Sequence, residues 1–260
     1  MRLKDKVAIV TGGGTGIGKA IAVTFASEGA KVVVAARTLS RLEEVAEDIK
    51  SRGGEAKAIQ TDVSDEKQVQ RMVAQTLDEY GKIDILVNNS AAPVSVIANV
   101  VDMKLDDWNW ELAISLTGNM LCSREVLKTM IPRKSGSIIN ISSIAGLSAH
   151  PSRSSYAVSK WGVIGLTKTL AMEVGEYNIH VNCISPGGTN TERFQFGMRH
   201  RAEVSGISYE EVMSRAGQGS SLKRVVEPSE IATAAVFLAS DDSSAITGHN
   251  LPITCGSGVS

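Results

Sequence analysis

The chain has 260 residues, enough to bury a sizeable core and within the range of a single α/β domain. With 27 basic and 28 acidic residues the formal charge is −1, which excludes bulk electrostatic attraction to nucleic acid or to a membrane surface. Cys122, Cys183 and Cys255 lie far apart, as do His150, His180, His200 and His249, and neither set has metal-ligand or disulfide spacing.

The first residues, Met1-Arg2-Leu3-Lys4-Asp5-Lys6, lack the apolar core of a signal peptide. No run approaches the roughly 18 apolar residues of a membrane span. The expectation is a soluble, cytoplasmic protein with no membrane and no nucleic-acid partner.

A short strand at residues 7–10 opens the chain and a helical pattern follows at 16–27. Between them runs Thr11-Gly12-Gly13-Gly14-Thr15-Gly16-Ile17-Gly18. Glycines in a strand-to-helix turn allow a tight bend and let phosphate oxygens approach the main chain, with the helix N-terminus facing the charge. Gly12, Gly14, Thr15, Gly16, Ile17 and Gly18 are therefore expected to bind the pyrophosphate of a dinucleotide.

The second strand, 31–35, runs into Ala36-Arg37-Thr38. A site for NAD usually has an acid at the end of this strand to accept from the ribose hydroxyls. Ala36 leaves the acid out, so a 2′-phosphate is not repelled. Arg37 is placed to receive it through charge-assisted hydrogen bonds, and Arg41 adds to the positive field. NADP(H) is the expected cofactor, with NAD(H) possible.

Alternation continues with helices at 39–52, 66–80, 105–130, 155–174 and 229–239. Strands fall at 56–60, 83–87, 137–141, 180–184 and 250–254. It predicts an α/β fold: one doubly wound, Rossmann-like parallel sheet of about seven strands with helices on both faces, spanning 1–260 as one domain. Residues 189–226 stand outside this rhythm and carry Phe194, Phe196, Met198, Tyr209 and Met213.

The strand at 137–141 ends in Ser142-Ser143, and a hydroxyl at a strand C-terminus can hold a substrate oxygen. Turn chemistry at a strand end is the alternative for these two serines, and one of them can serve that role alone. Ser143 is thirteen residues before Tyr156, and Lys160 follows Tyr156 by four. Positions i and i+4 share a helix face. An ammonium beside a phenol favours the phenolate, which otherwise forms only near pH 10. Tyr156 is thus the expected acid/base, Ser143 the residue that orients the oxygen, and Lys160 the residue that tunes Tyr156. His150, in the loop between them, reads as surface.

These motifs resemble those of the short-chain dehydrogenase/reductase family over essentially the whole chain. Thr11 to Gly18 is similar to the family's Thr-Gly-x-x-x-Gly-x-Gly turn, and Ser143, Tyr156 and Lys160 to its catalytic trio. The resemblance implies that Asp62-Val63 contacts the adenine and that Asn88-Asn89 begins the Asn-Asn-Ala-Gly motif, placing Asn89 at the cofactor. It also implies that Pro186-Gly187 with Gly188 to Thr191, including Thr189 and Thr191, holds the nicotinamide carboxamide. Lys160 is further expected to bond the nicotinamide ribose.

The chain departs from the pattern at Asn88-Asn89-Ser90-Ala91 and at Thr254-Cys255-Gly256. It departs again at Ser115, which stands where the family commonly has a catalytic Asn that holds a relay water. Ser115 is carried as a fourth catalytic candidate, since a hydroxyl also bonds water.

The resemblance implies an NADP(H)-dependent oxidoreductase that interconverts a small-molecule carbonyl and a secondary alcohol by hydride transfer. It also implies a substrate lid at 189–226 and a homodimer or homotetramer built through the two long helices. No resident metal is expected. Two other classes stay open: a cofactor-binding protein with weak or no turnover, and a lyase or dehalogenase on the same scaffold.

Overall fold

Strands β1 (Val7–Thr11), β2 (Lys31–Ala36), β3 (Glu55–Gln60), β4 (Ile85–Asn88), β5 (Gly136–Ile141), β6 (Ile179–Pro186) and β7 (Asn250–Ile253) run parallel in one sheet, in the order β3-β2-β1-β4-β5-β6-β7. This is a computed structural model, and it describes residues 1–92 and 96–258.

Every residue of β1 and β4 is buried, which is why these strands read as continuous apolar runs rather than alternating ones. Successive side chains nevertheless serve different faces. Ala8, Val10, Val32 and Val34 pack with helices α1 (Gly16–Ser27), α2 (Leu39–Ser51) and α9 (Pro228–Ala239). Ile9, Val33, Leu86 and Ile138 pack on the other side, with α3 (Glu66–Tyr80), α5 (Gly118–Arg133) and α6 (Ser154–Val174). The result is a single domain, doubly wound, with helices on both faces.

The chain builds outward from β1 to β3 and then returns to lay β4 on the opposite side of β1. The crevice at the carboxyl ends of β1 and β4 is the switch point at which such sheets bind ligands.

The longest expected helix differs from its sequence pattern. The helix expected over 105–130 is three pieces: α4 (Leu105–Leu112), a π-turn at Ala113–Thr117, and α5. Local packing accompanies the widened turn. A Cβ on Gly118 would meet Val63 Cγ2 at 2.7 Å, and one on Gly162 of α6 would meet Leu116 Cδ2 at 2.8 Å. The segment is seated against two neighbours at once, through the Gly118 backbone and the Leu116 side chain. Ser115 is the middle residue of this turn.

Between β6 and α9 the chain forms α7 (Glu192–Ser205) and α8 (Tyr209–Gln218). Their N-termini are capped by Thr191, whose Oγ1 accepts from the Phe194 N–H at 3.2 Å, and by Ser208, which accepts from the Glu211 N–H at 3.1 Å. Among the described residues, no helix is long and apolar enough to cross a membrane, and no group of three or more His, Cys, Asp and Glu could hold a metal ion.

Candidate active site

At the carboxyl ends of the strands lies a cleft of about 970 Å³. Its walls come from the glycine turn, the end of β2, Asp62-Val63, the segment after β4, the start of α6, and α7. A second hollow, of about 680 Å³, lies between α2 and β3 at the sheet edge and contains none of the motif residues.

The glycine turn is built for close approach. Gly12 and Gly16 have φ of +64° and +53°, a region that disfavours side chains. A Cβ on Gly18 would sit 2.2 Å from the Gly12 carbonyl oxygen, so only glycine lets the helix start this close to the strand end. Thr15 is the N-cap of α1 but its side chain makes no capping bond, so the first N–H groups of the helix keep their donors toward the cleft. Gly12, Gly14, Thr15, Gly16 and Ile17 all line the cleft, and Gly18 supports them from behind. These residues fit the pyrophosphate of a dinucleotide.

Asn89 holds the turn in place. Its Nδ2 donates to the Thr11 and Gly12 carbonyls at 3.0 and 3.2 Å, and its N–H donates to Thr11 Oγ1 at 3.0 Å. Asn88 points the opposite way. Its Nδ2 donates to Asn140 Oδ1 at 2.9 Å and Ser123 Oγ at 3.0 Å, in a buried network that extends to Thr167 of α6.

At the far end of the cleft, Ala36, Arg37, Thr38 and Arg41 line the wall beyond β2. Both arginines are exposed. Gln60 Nε2 donates to the Arg37 carbonyl at 2.8 Å and fixes the backbone there. Asp62 accepts from the Ser64 N–H at 3.0 Å and Ser64 Oγ at 2.6 Å, which aligns its carboxylate, and the buried Val63 packs beside it.

Tyr156 is half-buried on the first turns of α6 and lines the cleft with Lys160. The Lys160 side chain is buried, and its Nζ lies 5.8 Å from the centre of the Tyr156 ring. Nζ donates to the Ile141 carbonyl at 3.0 Å, which pins the ammonium to the end of β5.

The two serines after β5 divide their roles. Ser142 Oγ donates to the Lys160 carbonyl at 2.8 Å, locking the strand end to α6. Ser143 is half-buried and its Oγ accepts from the Ala145 N–H at 3.1 Å, capping a short 3₁₀ turn. Ser142 lines the cleft; Ser143 is not among the residues that do.

Pro186 ends β6, and the Gly187 N–H donates to the Ile253 carbonyl at 2.8 Å. Thr189 is buried and donates to the Gly187 carbonyl at 2.9 Å, while Thr191 reaches the cleft beside Gly16. Pro186, Gly187 and Thr189 therefore shape the turn behind the wall that Thr191 presents.

Ser115 lies apart from this set. It is fully buried, donates to Glu111 Oε1 at 2.6 Å and accepts from the Ala92 N–H at 3.2 Å. Sequence reasoning missed Glu111. The available signal was an acid four residues before Ser115, on the same helix face. It missed Arg193 too, which lines the cleft from α7.

The cysteines have no place in this chemistry. Burial pushes the Cys122 thiol up to about 12 and the Cys183 thiol up to about 11. His150 sits in its loop, half-buried, with Nε2 3.4 Å from Ser148 Oγ.

A family model described as enoyl-(acyl carrier protein) reductase matches residues 12–257. The 3-oxoacyl-[acyl-carrier-protein] reductase of Synechocystis sp. is 37% identical over 98% of this chain and 97% of its own. A crystal structure of an actinorhodin polyketide ketoreductase variant with NADPH superposes with a TM-score of 0.91, at 32% identity and 96% coverage of each chain. NAD⁺-bound xylitol dehydrogenase gives a TM-score of 0.92, at 32% identity over 98% of this chain and all of that one, 100%. A glycine turn at the switch point, a Tyr–Lys pair facing it and full-length similarity to such enzymes lead to one conclusion: the chain belongs to the short-chain dehydrogenase/reductase family of NAD(P)(H)-dependent oxidoreductases that interconvert carbonyls and alcohols.

Proposed function

We propose that the protein is an NADP(H)-dependent reductase of a small-molecule ketone or related carbonyl, with Tyr156 as its general acid. The observation that carries this reading is the convergence of the glycine turn, Tyr156 and Lys160 on one cleft, with Lys160 Nζ 5.8 Å from the Tyr156 ring.

In this reading the glycine turn and the α1 N-terminus hold the pyrophosphate. Asp62 and Val63 flank the adenine, and Thr191 with the turn behind it faces the carboxamide. Arg37 and Arg41 receive a 2′-phosphate, which the absence of an acid at Ala36 leaves unopposed. The bound nicotinamide supplies the hydride.

Ser143 orients the carbonyl oxygen, turning its hydroxyl from the 3₁₀ cap toward the substrate. Tyr156 gives its proton to that oxygen as negative charge develops there. Lys160 sets a positive charge beside the phenol and reaches the ribose. Ser115 makes no contact with the reacting atoms in this scheme, because its one donor is committed to Glu111.

Residues 189–226 act as the lid, supported by the cleft-facing positions of Arg193, Phe196 and Arg199. Reduction is the favoured direction, in keeping with two similar proteins named as reductases. Exposed Trp110, Met120, Val158, Trp161 and Met172 on α4, α5 and α6 support a homodimer or homotetramer through those helices.

The test is a panel of ketones assayed by NADPH absorbance. Turnover of at least one carbonyl with NADPH is expected. Tight NADPH binding with no hydride transfer across the panel favours the cofactor-binding alternative.

A further inference from the structure

Glu111 is a fully buried carboxyl group. It is 0% exposed, on a helix that packs against α6 and leads into the π-turn. Its Oε2 makes no hydrogen bond among the described residues. A buried polar atom left without a partner costs free energy. An apolar side chain would avoid that cost, so the gain lies in what Oε1 does.

Oε1 accepts from Ser115 Oγ at 2.6 Å. With its donor spent, Ser115 presents lone pairs only, and one of them takes the Ala92 N–H at 3.2 Å. Ala92 is 2% exposed and directly follows Asn89, Ser90 and Ala91, which line the cleft. On its other side the Ala92 carbonyl accepts from Arg193 Nη1 at 2.8 Å. Arg193 belongs to α7 and lines the same cleft. A continuous path of hydrogen bonds thus runs from the buried carboxyl, through Ser115 and the backbone of Ala92, to the segment that covers the site.

We propose that Glu111 is a positioning residue for the substrate end of the cleft: through Ser115 and Ala92 it fixes the wall on which Arg193 docks the lid. Were Oε1 removed, the Ser115 hydroxyl would be free to rotate and donate elsewhere, and the Ala92 N–H would lose a fixed acceptor. The wall and the lid would then shift together, while the glycine turn and Arg37 would keep their own supports. The role rests on the carbonyl-reductase reading for its kinetic consequence, but the linkage itself does not.

The variants are Glu111→Leu, Glu111→Gln and Ser115→Ala, compared for carbonyl KM, kcat and NADPH Kd, and for amide hydrogen exchange. Glu111→Leu and Ser115→Ala are expected to raise carbonyl KM about five- to tenfold, the size of one lost hydrogen bond. NADPH Kd should move little. Glu111→Gln keeps an acceptor for Ser115 and should recover most of the loss. Combining Ser115→Ala with Arg193→Met should raise KM by less than the product of the single effects.

Exchange should quicken in the peptides that contain Ala92 and residues 192–205, and not across the sheet. If Glu111→Leu does not fold, Ser115→Ala decides alone. Unchanged KM in Ser115→Ala, glutamine as damaging as leucine, or a uniform rise in exchange would overturn the proposal. If the wild type reduces no carbonyl, the proposed function fails, and the exchange pattern still decides the linkage.

Discussion

Lys160 donates from Nζ to the Ile141 carbonyl at 3.0 Å, and this bond fixes the ammonium where β5 meets the cleft. Lysine side chains are long and lose much rotamer freedom when ordered. Here the ordering comes from the sheet. The strand end supplies an acceptor, α6 supplies the side chain, and Ser142 ties the two elements together through the Lys160 carbonyl. The position of Lys160 against Tyr156 is therefore set by the fold itself, before any ligand arrives.

Cofactor preference tests the far end of the cleft. Ala36→Asp combined with Arg37→Ile exchanges a phosphate-binding cation for a ribose-binding carboxylate. The ratio of kcat/KM for NADPH over NADH should fall about ten- to a hundredfold, the worth of one or two charge-assisted bonds. A wild-type protein that already prefers NADH would contradict the assignment of Arg37.

Asp84 tests stability away from the site. It lies just before β4, at the amino end of the sheet, and is 5% exposed. Burial works to raise its pKa, but bonds from Lys82, from the Val7 N–H and from Arg133 outweigh it, and the pKa is lowered. A lowered carboxyl pKa adds stability above the unfolded value, about 3.9, and the gain is lost as pH falls through the folded value. Asp84→Ala should cost about 2–4 kcal/mol at neutral pH. The gap to wild type should narrow below about pH 4, with NADPH affinity at neutral pH preserved. Urea unfolding across pH measures it; a gap that persists unchanged in acid would refute the electrostatic account.

Thiol reactivity tests the burial of the cysteines. Cys122 and Cys183 are buried, with their thiols held near 12 and 11, whereas Cys255 is half-buried. At pH 8 only Cys255 should react rapidly with a disulfide reagent, and all three cysteines should react after unfolding. Fast reaction of a second thiol in the native protein would contradict the packing of β6 or α5.

The sheet was readable because β1, β2 and β4 are buried on both faces and so appear as apolar runs bounded by turns, while β5 and β6 keep Ile138, Ile139 and Ile141 and Val181, Cys183 and Ile184 among buried polar residues. The expected strand at 83–87 began too early: Ile83 and Asp84 belong to the approach, where Asp84 turns its carboxylate to the Val7 N–H at 2.9 Å. The π-turn had no signal of its own. Ala-Ile-Ser-Leu-Thr suits an ordinary helix, and its seating against Val63 and Gly162 is a tertiary matter.

Of the two helices of residues 192–218, α8 did leave a mark, since Ser208 and Glu211 have capping-box spacing and Ser208 Oγ accepts from the Glu211 N–H. In the site, the glycine turn, Tyr156 and Lys160 were legible because their spacing carries the chemistry. The Glu111–Ser115–Ala92–Arg193 path was not. It joins residues about 100 positions apart, through a backbone N–H and C=O that no side-chain pattern reveals.

Tyr156→Phe tests the central claim most directly, because it removes the phenolic hydroxyl and keeps the ring. The measurements are kcat on a carbonyl that the wild type reduces, and NADPH Kd on the same preparation. The account predicts a fall in kcat of about 10²- to 10⁴-fold, the usual contribution of an acid–base group, with NADPH binding retained. A Tyr156→Phe protein that binds NADPH and keeps most of its kcat would contradict it.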